Sequence, residues 1–221
     1  MNAGSKTRER SVELDAGGVG LSGDLALPEP ASALVLFAHG SGSSRRSPRN
    51  RQVAGVLNEA GLATLLFDLL SEAEAADRGN VFDISLLGER LATATRWALE
   101  QDELAALPIG YFGASTGAAA ALVASVALGD RVGAIVSRGG RPDLAGDALP
   151  RVTAPTLLLV GGADELVIEL NRQAQAQMNC ETRLVVVPGA THLFEEAGAL
   201  EAVAAHAVRW LRRHLVHAAA A

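Results

Sequence analysis

Ser115 lies in Ile109-Gly-Tyr-Phe-Gly-Ala-Ser-Thr-Gly117, where a short apolar run leads into Gly-x-Ser-x-Gly and then into a segment, Gly117 to Leu128, that is apolar on nearly every side. A serine hydroxyl is a weak nucleophile until a neighbouring imidazole takes its proton. A tight turn from strand to helix holds such a serine in strained backbone and projects its Oγ at the positive end of the helix, where developing negative charge is favoured. Glycines two residues before and after the serine, here Gly113 and Gly117, let neighbouring chains approach without a Cβ in the way. The five-residue pattern alone recurs by chance and can be a plain turn. A strand before it and a buried helix after it are what point to chemistry.

A base and an acid are placed to complete the serine. Asp164 follows the apolar run Thr156–Val160 through Gly161-Gly-Ala, and His192 follows Arg183–Val187 through Pro188-Gly-Ala-Thr. In the order Ser, Asp, His, each at the carboxyl end of a later strand, the three side chains can meet on one rim of a parallel sheet. His192 is expected to act as general base, with Asp164 accepting the other ring N–H and fixing the tautomer. Glu165 is the alternative acid. His206, His214 and His217 fall on a C-terminal helix and read as solvated or edge residues, and His39 reads as support for its own loop. A tetrahedral intermediate needs two preorganised donors. Thr116 N–H supplies one, and the Ala38-His-Gly-Ser-Gly-Ser-Ser44 loop supplies the other, with Ser41 N–H nominated. Arg138 and Arg141 are candidate substrate-binding cations, and Arg45, Arg46 and Arg49 follow the same glycine-serine loop. The competing reading is that such arginines pin loops through carboxylates, for example Asp143.

To carry these residues the chain needs strands whose ends line up. Candidate strands are Ser11–Leu14, Leu21–Leu27, Leu34–Ala38, Thr64–Asp68, Ile109–Phe112, Ala134–Ser137, Thr156–Val160 and Arg183–Val187. Most are continuous apolar runs, as expected of parallel strands covered on both faces. Between them, Val53, Val56, Leu57 and Ala60 share one helical stripe, as do Leu87, Leu91, Ala94 and Ala98. Gly117 to Leu128, Val167 to Met178 and Leu200 to Leu215 complete the helices. The pattern is α/β, a mostly parallel eight-stranded sheet flanked by helices, read as a single domain over residues 1–221. The interval from Ser137 to Ala154 leaves room for a loop and a short helix but no cap domain.

At 221 residues with 49% hydrophobic and 20% charged residues, the chain can bury an enzyme-sized core. A formal net charge of -6 argues against nucleic acid as partner, and a small-molecule ester is the expected one. One cysteine, Cys180, excludes an internal disulfide and a cysteine zinc site, so no metal is expected. The loop after Ala38 lacks the Gly-Lys-Ser/Thr ending of a phosphate cradle, and no cofactor is implied. No secretory leader or spanning segment is evident, so the expectation is a cytoplasmic protein with no membrane partner.

The sequence resembles the α/β-hydrolases of the dienelactone hydrolase type, particularly members that carry serine. The likeness rests on HGSGSSRRSPRN at 39–50, GYFGASTGAAAAL at 110–122, SRGGRPDLAG at 137–146, LLLVGGAD at 157–164 and VPGATHLFEE at 187–196. It implies the α/β-hydrolase fold, with nucleophile, acid and base at Ser115, Asp164 and His192 and oxyanion donors at Thr116 and Ser41. Similar stretches also form the hydrolase half of proteins fused to a phosphoribosyltransferase domain, which is not expected here. Dienelactone hydrolases proper carry a cysteine nucleophile. Serine at that position points instead to a general carboxylic ester hydrolase working through an acyl-enzyme. The alternatives are an acyltransferase using the same residues and a non-catalytic binding module.

Overall fold

The computed structural model describes residues 6–216, so His217 and the Ala-rich end lie outside the described residues. Eight strands form one sheet in the order β1-β2-β4-β3-β5-β6-β7-β8. They are β1 (Lys6–Asp15), β2 (Gly20–Glu29), β3 (Leu34–Ala38), β4 (Ala63–Phe67), β5 (Ile109–Ala114), β6 (Val132–Arg138), β7 (Thr156–Gly161) and β8 (Thr182–Val187). The first two pair antiparallel with each other, and β2 pairs antiparallel with β4. All further neighbours are parallel, with registers such as Val35↔Gly110 and Phe112↔Val136. The carboxyl ends of β3 to β8 therefore share one rim.

Every residue of β3, β4 and β5 is buried, which explains their unbroken apolar runs. On one face lie α1 (Pro48–Glu59) and α7 (Ala199–Leu211), packed through Val53, Leu57, Val203, Ala207 and Leu211 onto Phe37, Phe112 and Val136. Stacking of the Phe37 and Phe112 rings, centroids 4.8 Å apart, fills the centre of this layer. On the other face lie α4 (Ile84–Leu99), α5 (Thr116–Leu128) and α6 (Glu165–Gln175). Helix α5 is buried along most of its length through alanines that let it sit close to the sheet. Ser47 caps α1, its Oγ accepting from Asn50 N–H, and Pro48 occupies the first turn where a missing N–H costs nothing.

The structure departs from the sequence expectations in particular places. Strand β1 begins at Lys6 rather than Ser11, because the exposed segment is held by backbone pairing, Lys6↔Glu29 onward, and needs no apolar alternation. Two short helices, α2 (Glu72–Ala75) and α3 (Arg78–Phe82), fill the interval between β4 and α4. Strand β8 is an edge strand of which only Val187 is buried. Beyond β6 the chain makes 3-10 turns over Pro142–Arg151, broken at Gly146, and no cap domain intervenes before β7. No described helix is long and apolar enough to cross a membrane.

Candidate active site

The turn from β5 into α5 places Ser115 at φ 51 and ψ -122, a region that L residues occupy only when the surroundings demand it. The surroundings do so here. A Cβ on Gly117 would lie 2.1 Å from Ala38 O, and one on Gly113 would lie 2.5 Å from Ala118 Cα, so strand, elbow and neighbouring loop can close only around glycine. Ser115 N–H donates to Arg138 O at 3.3 Å and Ser115 O accepts from Arg141 N–H at 3.0 Å, which ties the elbow to the loop after β6. That loop also reaches the histidine. A Cβ on Gly139 would meet His192 O at 3.0 Å and His192 Cε1 at 3.6 Å. Residues 138–141 thus touch both Ser115 and His192.

Asp164 stands at the N-cap of α6 but makes no side-chain cap to it. Its Oδ2 instead accepts from His192 Nδ1 at 2.7 Å, with the two side chains 18% and 40% exposed. The turns carrying them are stitched together by Gly162 N–H to Val187 O at 2.8 Å and Ala163 N–H to Ala190 O at 2.9 Å. Below His192, the buried Phe194 holds a positive φ of 56 and lies against Gly139. Thr191 N–H donates to Glu196 Oε2 at 3.0 Å and closes the far side of the loop. Glu165, the alternative acid, is exposed in the first turn of α6.

On the opposite side of Ser115, Gly40 packs so closely that a Cβ there would stand 2.9 Å from Ser115 Cβ. Thr116 N–H opens α5 and has no carbonyl partner within that helix. Ser41 N–H is engaged, donating to Thr116 Oγ1 at 2.9 Å. His39 is a loop support: its Nε2 accepts from Leu69 N–H at 3.0 Å, which leaves the proton on Nδ1 facing Gly40 O at 3.0 Å. Burial holds this imidazole below its ordinary pKa and hence neutral. Beside this loop is a cavity of about 260 Å³, lined by Ser41, Leu69, Leu70, Ala75, Val81 and Leu87 among others. The sequence reading missed this wall of α2 and α3. The Ser71-x-x-Glu74 capping box that starts α2, with Glu74 N–H donating to Ser71 Oγ and Ser71 N–H to Glu74 Oε2, was a signal in plain view.

The arginines divide into two kinds. Arg141 is committed to Asp143 by two bonds, Nε to Oδ1 at 2.9 Å and Nη2 to Oδ2 at 2.7 Å, and that hydrogen-bonded carboxylate holds its pKa above the ordinary value. Arg45 is paired with Asp68 and lies 3.6 Å from Asp24, while Arg46 is exposed. These three fit the loop-pinning or solvated reading. Arg138 is different: it is buried, and among the described residues its guanidinium bonds only to Asn50 Oδ1, from Nη2 at 3.4 Å.

A strained serine at a strand-to-helix elbow, an Asp–His pair on the next-but-one and last strands, and no cap domain place the chain among α/β-hydrolases. The family model for the dienelactone hydrolase family matches residues 55–216. The chain belongs to the dienelactone hydrolase family. It is similar to the dienelactone hydrolase of Anabaena variabilis, 54% identical with a TM-score of 0.92 and covering 95% of this chain and 99% of that one. It resembles Est1E of Butyrivibrio proteoclasticus in fold alone, at 19% identity and a TM-score of 0.76 over 91% of this chain and 98% of that one. A Mycobacterium tuberculosis protein named "Putative phosphoribosyl transferase" is 58% identical over 208 residues, 94% of this chain and 47% of that protein. The chain thus spans about half the length of the curated relatives it matches. In this dienelactone hydrolase family member the fold and family are those of hydrolases, and position 115 carries the serine of the serine-bearing members it resembles.

Proposed function

We propose that the protein hydrolyses small carboxylic esters through an acyl-enzyme on Ser115. The observation that carries this reading is the 2.7 Å bond from His192 Nδ1 to Asp164 Oδ2, made by an acid that gives up its helix cap to make it. With Nδ1–H committed to the carboxylate, Nε2 is the basic nitrogen left to take the Ser115 proton. Ser115 Oγ attacks the ester carbonyl, and the negative charge moves onto the carbonyl oxygen. His192 passes the proton to the departing alcohol, and the carbonyl reforms as an acyl-serine. Water, activated by the same imidazole, then releases the carboxylic acid and restores the serine.

In this reading Thr116 N–H and Ser41 N–H are the two donors that hold the oxyanion. Ser41 N–H now gives its hydrogen to Thr116 Oγ1, so the oxyanion displaces that hydroxyl as acceptor when it forms. The acyl group enters the apolar cavity beside Ser41. Phosphoribosyl transfer is not proposed for this chain, since the residues matched at 55–216 are those of a hydrolase family. A panel of p-nitrophenyl esters from acetate to decanoate tests the reading. Turnover lost in Ser115→Ala supports it, and equal turnover by wild type and Ser115→Ala refutes it.

A further inference from the structure

Two guanidinium groups meet beneath the His192 loop with too little negative charge around them. Arg138, the last residue of β6, turns toward α1 and is 8% exposed. Among the described residues its Nε and Nη1 find no partner, and Nη2 has only the 3.4 Å bond to the neutral Asn50 amide. No described carboxylate comes within ion-pair distance of it. Arg49, one residue before Asn50 in the first turn of α1, lies close enough to repel it, and the Arg49 Nε is likewise buried without a partner. The first turn of α1 carries no acidic residue, so the positive end of that helix adds to the same potential. Glu195 reaches Arg49 alone, Oε1 to Nη1 at 3.0 Å, and is 64% exposed.

Burial, reinforced by Arg49, pulls Arg138 down to about 10, which leaves it a cation at neutral pH. A buried cation without a counter-ion is strongly unfavourable. The other arginines near the rim are answered by carboxylates, Arg45 by Asp68 and Arg141 by Asp143. Arg138 is not.

We propose that Arg138, Arg49 and Asn50 form a subsite for a small oxyanion, a carboxylate or phosphate group, beside the proposed active centre. The anion enters from the Arg49 side, where that side chain is 35% exposed, and displaces the exposed Glu195 carboxylate. Glu195 is three residues beyond His192, on the loop that carries the histidine. The group is carried by the substrate or is free in solution, and two arms of one experiment separate these sources.

In the first arm, melting temperature is followed in inorganic phosphate and in acetate at constant ionic strength, for wild type, Arg138→Met and Arg49→Gln. A saturable rise of about 4 °C at ten times Kd is expected for wild type. The rise should vanish in Arg138→Met and weaken in Arg49→Gln, which keeps the test alive if the buried substitution does not fold. In the second arm, KM is compared between p-nitrophenyl hemisuccinate and p-nitrophenyl butyrate. A roughly tenfold increase in the hemisuccinate-to-butyrate KM ratio in either variant identifies a substrate-borne carboxylate, and an anion-dependent melting shift with an unchanged ratio identifies a free anion. The subsite is refuted if neither anion stabilises wild type and the KM ratio is the same in all three proteins, or if both variants shift as wild type does. The melting arm needs no turnover, so its failure is distinguishable from failure of the esterase reading.

Discussion

Asp164 could cap α6 and does not; its carboxylate is spent on His192. Replacement by Asn keeps the size but presents the wrong group to Nδ1, so the imidazole adopts the wrong tautomer, and kcat should fall about 10⁴-fold. Ser115→Ala and His192→Ala should each lower ester turnover by roughly 10⁴- to 10⁶-fold with the fold intact, checked by kinetics beside far-UV circular dichroism. Should Glu165→Gln prove worse than Asp164→Asn, the acid is the wrong one. His39 carries a pH effect of a different kind. Its folded-state pKa lies below the ordinary 6.5, so the unfolded chain binds the proton first and stability is lost as pH falls below about 6.5. His39→Gln retains an acceptor for Leu69 N–H without the titration. Melting temperatures from pH 7.5 to 5 should decline less steeply in the variant than in wild type; parallel curves would remove His39 from the account.

Elements explain what the sequence could and could not reveal. Leu34–Ala38 was legible to the residue because a parallel strand covered on both faces must be apolar throughout. The Lys6–Arg10 part of β1 was not, because an exposed edge strand carries no apolar pattern. Helices α2 and α3 bury no residue of their own, so they leave no helical stripe to find. Yet they wall the cavity beside Ser41. About 260 Å³ lies below the range of ~300–1,000 Å³ typical of drug-sized ligand sites. The preference kcat/KM should therefore rise by up to ~0.8 kcal/mol per buried CH₂ through the short acyl groups and stop near butyrate or hexanoate. Val81→Phe, which fills the cavity from α3, should move the optimum to acetate. An optimum unmoved by this change would place the acyl group elsewhere. Gly117→Ala tests the elbow itself: its methyl meets Ala38 O, and the loss should be roughly 3 kcal/mol in chemical denaturation.

Across the whole molecule, the chemistry-bearing residues come from chain segments far apart that the sheet order brings to one rim. The triad candidates could be read from order and strand position, since Gly-x-Ser-x-Gly, Gly-Gly-Ala-Asp and Gly-Ala-Thr-His each end a buried or half-buried strand. Which arginine stood apart could not be read, because Arg138 and Arg141 look alike until Asp143 is seen to pair with only one of them. With no cap domain between β6 and β7, no lid has to open, and the rate should show no jump as substrate passes its solubility limit. The central claim, that Ser115 is the nucleophile, is tested most directly by intact-protein mass spectrometry after reaction with a fluorophosphonate. A single phosphonyl adduct is expected on wild type, mapped to the Ser115 peptide and absent from Ser115→Ala. An adduct that persists in Ser115→Ala, or esters turned over by a wild type that never acquires one, would contradict it.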